Sequence, residues 1–454
     1  MSYPQHTKAV LTLGLPLVGG HLAQVAIGVT DTVMLGWYGV EALAAVTLGS
    51  TYFFTLLIFG SGFAWAVMPL VATFHAEGDD VSLRRATRMG LWLSVGFSAF
   101  ALPLMIWSEP IFLMLGQAEE VAEGAARYLR IAGWGFIPQI LLMVFKSYLG
   151  GLERTQAVLW IMLFSAVVNG FVNYALIFGH WGAPELGVEG AALASVLTQS
   201  VALAGVIAYV QIVLPQHALF QRLWRADGQM LTRVFRLGWP IGLTGLSESG
   251  LFAGSALMMG WLGTVPLAAH GIAVQLASIT FMMHLGLSNA ATIRAGNAYG
   301  RRDPWHMERG ALVVTMLSLG FALITVLAFV TWPEPLILVF MSANEPARDQ
   351  ILLIGAGLLV MAALFQLVDG AQAIALGLLR GVQDTKVPMI YAALSYWMVG
   401  IPCSYVFGFM LDMEGIGVWL GLVVGLGVAA LTLSARFWGV ALRQLKSDAA
   451  PAQA

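Results

Sequence analysis

Three carboxylates, Asp31, Glu248 and Asp369, stand inside long apolar stretches of this sequence, while the rest of its 24 acidic residues fall in connecting segments or at span ends. An ionised carboxylate at the centre of a membrane helix costs about 2.5–3.5 kcal/mol on insertion scales. Each of the three must therefore face a watery cavity, bind a cation or carry a proton. An interhelical hydrogen bond with only a packing role explains one such acid more readily than three. Asn169 and Asn173 add amides at i, i+4, on one face of a helix. Their oxygens suit Na⁺, and the same groups suit the orientation of a protonatable Asp31 or simple polar contact between helices.

Other reactive residue types point to less. Lys146 is the one basic residue expected within a span, close enough to its end for the ammonium to snorkel. His21, His270 and His284 lack metal-ligand spacing and read as hydrogen-bonded polar residues. The single cysteine, Cys403, excludes an intramolecular disulfide and any multi-cysteine metal site. No lysine follows a G-x4-G, no HExxH occurs, and Gly245–Gly250 lacks the spacing of a nucleophile elbow. No cofactor is expected, and an ion gradient is the remaining energy source for transport.

The elements that position these residues follow from composition. The 454 residues are 59% hydrophobic and 10% charged, against about 45–50% and about 25% in soluble domains. Apolar runs of about 20 residues or more match the length of a helix crossing about 30 Å of hydrocarbon. Spans are expected at 10–37, 42–74, 89–108, 126–149, 157–179 and 188–213, then at 232–261, 266–292, 309–331, 348–378, 388–410 and 415–441. The first is too long for the apolar core of a signal peptide and is expected to remain in the mature protein. With twelve spans both termini share one side. Nearly all of the 22 basic residues fall on that side; only Arg127, Arg130 and Arg348 fall on the other. The positive-inside rule makes both termini cytoplasmic.

The halves repeat. Leu13-Gly14-Leu15-Pro16 recurs as Leu237-Gly238-Trp239-Pro240, 224 residues later, and Gly36-Trp37 recurs as Gly260-Trp261 at the same shift. Under that shift Gln24 overlays Glu248 and Asp31 overlays Ser255, so the acids sit at different places in the two halves. Six spans is an even number, so the units share one orientation, with a substrate path expected between them. The expected organisation is a six-helix lobe at 1–215, a cytoplasmic linker at 216–231, a second six-helix lobe at 232–446 and a tail at 447–454.

Several stretches resemble the multidrug and toxic compound extrusion (MATE) family: Ala23–Gly39 around Asp31, Val168–Gly187, Leu246–Phe252 around Glu248, and Ala363–Thr385 around Asp369. A glutamate in the seventh span with an aspartate in the tenth resembles the NorM-type branch. The resemblance implies an all-α polytopic membrane protein: twelve transmembrane helices in two pseudo-symmetric six-helix bundles around a central cleft. It implies antiport of drugs, dyes and organic cations against H⁺ or Na⁺. By position, Asp31, Asn169, Asn173 and Ser195 would form a cation site in the first lobe, and Glu248 and Asp369 a cation or substrate site in the second. Na⁺ would lie at Asp31 or at the Glu248–Asp369 pair. Two departures stand out: Asn173 occupies a position where relatives often carry an acid, and Phe365 replaces a tyrosine one turn before Asp369.

The leading expectation is an ion-coupled multidrug exporter, monomeric, in the inner or plasma membrane, with no nucleic-acid partner. A flippase for lipid-linked oligosaccharides would need a cationic lining for pyrophosphate, and an intramembrane enzyme would need a catalytic dyad or metal cluster that the sequence does not offer.

Overall fold

The computed structural model describes residues 1–341 and 345–449, so the end of the 447–454 tail lies outside the described residues. The first half contains α1 (Tyr3–Tyr38), α2 (Val40–Trp65), α3 (Val67–Glu77), α4 (Asp80–Ile106), α5 (Ser108–Met114), α6 (Glu119–Gly151), α7 (Thr155–Phe178) and α8 (Val188–Val213). The second contains α9 (Gly228–Leu262), α10 (Thr264–Gly300), α11 (Pro304–Thr331), α12 (Pro333–Leu338), α13 (Arg348–Gly381), α14 (Lys386–Leu394), α15 (Ile401–Tyr405), α16 (Glu414–Arg436) and α17 (Leu442–Ala449). Wider π-helical turns at Ser395–Gly400, Val406–Met410 and Phe437–Ala441 join the last four into two long rods. Ala66 keeps helical backbone angles, so α2 runs on into α3.

Among the described residues there are twelve long helices. Eleven are long and apolar enough to cross a membrane; the twelfth, α9, carries Arg233, Arg236 and Glu248 among its apolar residues. Several outrun the edges that hydropathy gives. The helix expected from residue 89 begins at Asp80, capped by the Asp79 carboxylate accepting from the Ser82 N–H at 2.9 Å. The one expected to end at 292 continues to Gly300. Hydropathy measures the hydrocarbon thickness, whereas a capped helix continues beyond it as a charged extension.

Contacts divide the chain into two compact units, Gly19–Gly242 on the one hand and Met1–Val18 with Leu243–Ala454 on the other. The dividing points lie 224 residues apart, the period of the sequence repeat, two residues after Pro16 and Pro240. Within Gly19–Gly242 the core is built from Val67, Leu70, Phe74, Met89, Tyr148 and Val234, with a second cluster around Phe53, Phe112 and Phe136. Here α2 and the start of α9 touch through backbone: a Cβ on Gly62 would overlap Gly238 and Gly242. In the other unit the fully buried Trp419, Tyr396, Phe365 and Phe437 fill the space among α13, α14 and α16. There Ser288 donates its hydroxyl to the Ala373 carbonyl at 2.6 Å, and Thr292 to that of Gly377 at 2.9 Å, holding α10 on α13.

Candidate functional site

In the unit Gly19–Gly242, α1 brings Asp31 against α7 and α8. Asn169 donates its amide to Asp31 Oδ1 at 3.1 Å, Asn173 donates to the same oxygen, and Ser195 donates its hydroxyl to Oδ2 at 3.4 Å. Asn173 also donates to Asn169 Oδ1 at 3.1 Å, so the two amides act as one group. Both asparagines are 0% exposed, while Asp31 keeps partial access. All four residues implied for this site therefore meet. The amide hydrogens face Asp31, which stabilises it as an acceptor; Asn173 Oδ1 is buried with no hydrogen bond.

Tyr128 of α6 belongs to the same place, and sequence reading missed it. Its hydroxyl lies 3.4 Å from Ser50 Oγ, and the ring is 8% exposed, within electrostatic reach of Asp31 and beside Ser195. A tyrosine in an apolar span looks like core or interfacial filling, so nothing in the local sequence marked it.

In the unit containing Leu243–Ala454, Glu248 of α9 accepts from Gln372 Nε2 at 3.1 Å. Asp369, 3% exposed, sits near enough for the two carboxylates to repel each other. Three oxygens here are buried without a hydrogen bond: Asp369 Oδ1, Gln372 Oε1 and the Tyr396 hydroxyl. Leaving such acceptors unmet costs about 1–3 kcal/mol each. This is a set of hard oxygens that water, a proton or a cation would satisfy. Gln372, three residues after Asp369, was a sequence signal available beside the acid itself. Tyr396 stands in a π-helical turn, a geometry frequent at functional positions.

Two features differ from expectation. Arg380, counted with the loop cations on the side of the termini, lies in the last turn of α13, partly buried and within electrostatic reach of Glu248 and Tyr396. Lys146 is thus not alone among partly buried bases. Phe365, in the position of the tyrosine, is 1% exposed and stacks edge-on against Phe252 and Trp419, offering no hydroxyl to Asp369. The histidines behave as ordinary polar residues: His270 Nδ1 accepts from Trp419 at 3.0 Å and His284 Nδ1 bonds Ser318 at 2.8 Å. Among the described residues no group of three metal-ligating side chains occurs.

Residues 16–175 and 240–406 match the MatE family model, in two stretches that begin at the repeated prolines. The chain belongs to the MatE family. A probable multidrug resistance protein NorM of Rhizobium meliloti is 45% identical, covering 99% of this chain and 96% of that protein. The protein of that name in Agrobacterium fabrum is 42% identical over 98% and 96%. A MATE crystal structure in the bent conformation superposes with a TM-score of 0.87 at 20% identity, covering 99% of both chains. A eukaryotic MATE transporter superposes at 0.84 and 16% identity, covering 98% of this chain. These likenesses show the fold, and MatE membership places the chain among transporters, not enzymes.

Proposed function

We propose that the chain exports lipophilic, often cationic small molecules by antiport against H⁺ or Na⁺, as a monomer in the inner membrane with both termini cytoplasmic. The relatives' shared name, multidrug resistance protein, supports the substrate class, and the basic residues gathered on the termini's side support the orientation. The observation that carries the reading is the convergence of Asn169, Asn173 and Ser195 on Asp31, in the half whose other acids lie in connecting segments or at span ends. Lobes 1–215 and 232–446 would each contribute one cation-responsive site.

Asp31, with amides and a hydroxyl but no second carboxylate, suits reversible protonation. Glu248 and Asp369, with the amide and phenol oxygens around them, suit either a proton or Na⁺, and their charge favours a cationic substrate nearby. Dye efflux from everted vesicles, with ΔpH and ΔNa⁺ imposed separately, tests the proposal. One gradient should drive efflux in the wild-type protein and fail to do so in Asp31→Asn. Efflux that responds to neither gradient would overturn antiport.

A further inference from the structure

Beyond the transport sites, the segment between α8 and α9 is bound tightly to α4. Arg88 donates Nε to the Leu219 carbonyl and Nη2 to that of Ala218, both at 2.7 Å. Arg84 Nη1 reaches the His217 carbonyl at 3.5 Å, and Trp92 Nε1 donates to that of Leu223 at 2.7 Å. Arg222, held at φ 55°, comes near enough to join Arg84 in repelling Arg88.

Arg84 and Arg222 therefore both lie within electrostatic reach of Arg88, and none of the three has an ion pair among the described residues. Two of the three neighbouring carboxylates are engaged elsewhere. Asp227 pairs with Arg85 and Asp79 caps the Ser82 N–H, while Asp80 is largely exposed and lies 3.8 Å from His217 Nε2, beyond hydrogen-bond distance. Carbonyl dipoles orient the arginines without cancelling their charge.

Depth supplies the missing anion. Trp92 and Trp224 are 42% and 77% exposed, and such indoles settle at the membrane–water interface. Arg88 stands one turn and Arg84 two turns beyond Trp92, about 6 and 12 Å along α4. The headgroup layer is about 5–7 Å deep on each side. The cluster thus lies at and just outside the phosphate plane, on the membrane face that carries both termini.

We propose that Arg84, Arg88 and Arg222 hold the phosphate of an anionic phospholipid headgroup, docking the linker to the bilayer. A cluster of guanidiniums at this depth has the chemistry for it.

The test is native mass spectrometry of the full chain extracted from mixed phosphatidylglycerol–phosphatidylcholine vesicles. The wild-type protein should retain phosphatidylglycerol in preference. Arg222→Gln, which removes a side chain with no hydrogen bond among the described residues, should lower that retention about fivefold. Arg127→Gln, on the opposite face and paired with Glu123, should leave it unchanged. Equal retention of the two lipids, or no loss in Arg222→Gln, overturns the site. Hydrogen exchange of 215–225 in wild-type nanodiscs gives a second reading: protection should appear with phosphatidylglycerol and be absent with phosphatidylcholine. Protection restored by inorganic phosphate in phosphatidylcholine would assign the site to free phosphate and refute the lipid.

Discussion

Asp31 accepts from three side chains, and an asparagine in its place can still accept from Asn169 and Asn173 while donating to Ser195. Asp31→Asn should therefore fold and insert normally yet lose dye efflux, because only the charge has gone. Normal efflux in well-expressed Asp31→Asn cells would reduce the residue to packing. Asp369 makes the opposite case. Asp369→Asn relieves repulsion with Glu248 and supplies a donor where Oδ1 now has none, so detergent-solubilised protein should melt higher, by about 1 kcal/mol in stability. Binding of an ethidium-like cation should weaken in the same variant and in Glu248→Gln; unchanged affinity in both would move the substrate site elsewhere. At this scale the sequence revealed acids and amides, because a polar residue in an apolar run is conspicuous. It did not reveal Tyr128 or Tyr396, whose rings look apolar, or Arg380, which the end of a hydrophobic run disguised as a loop residue.

Helix contacts in both units depend on places where one backbone meets another without a side chain between them. A Cβ on Gly377 would overlap Ser288 of α10, and one on Gly421 would overlap Ser404 of α15. Gly377→Ala and Gly421→Ala should each cost about 1–3 kcal/mol through overpacking. Gly205, with open space around it, should accept alanine with no loss. Thermal melting of the three variants checks this, and equal melting temperatures would contradict the packing. Hydropathy gave the number and order of the long helices. It could not give these contacts, since glycines are frequent throughout the chain and only the structure says which face a neighbour. The linker adds a pH dependence outside the membrane. The Arg85 hydrogen bond, with the N–H of Met230, holds the Asp227 carboxyl below its usual range. That contact stabilises the fold above the usual carboxylate value of about 4 and is lost as pH falls through the lowered one. Acidification below about pH 4 should reduce stability, and less so in Asp227→Asn; equal acid sensitivity would show that the pair contributes nothing.

At the scale of the whole molecule, the 224-residue repeat appears three times: in the paired prolines, in the two family-matched stretches and in the points where contacts divide the chain. The acids break that symmetry, since Asp31 overlays Ser255 and Glu248 overlays Gln24. Two equivalent sites would bind ion and drug alike, whereas two different ones can respond to each ligand separately. The proposed antiport needs the ion and the drug to favour different conformations of the same chain, and a ligand shifts a conformational equilibrium only by its differential affinity for the two states. On the proposed antiport, loading Asp31 would remove the charge that Asn169, Asn173 and Ser195 face and so change which arrangement of α1, α7 and α8 is most stable. Drug affinity of purified protein should accordingly weaken as the coupling ion rises, by about 5–150-fold at saturation, the usual range for a coupling of this kind. Linkage requires the drug to weaken ion binding by the same factor. Titrating drug affinity across pH and, separately, across Na⁺ concentration measures both the ion and the factor, and Asp31→Asn should abolish the dependence. Affinity indifferent to both variables, or strengthened by both, would mean that ion and drug do not compete through Asp31.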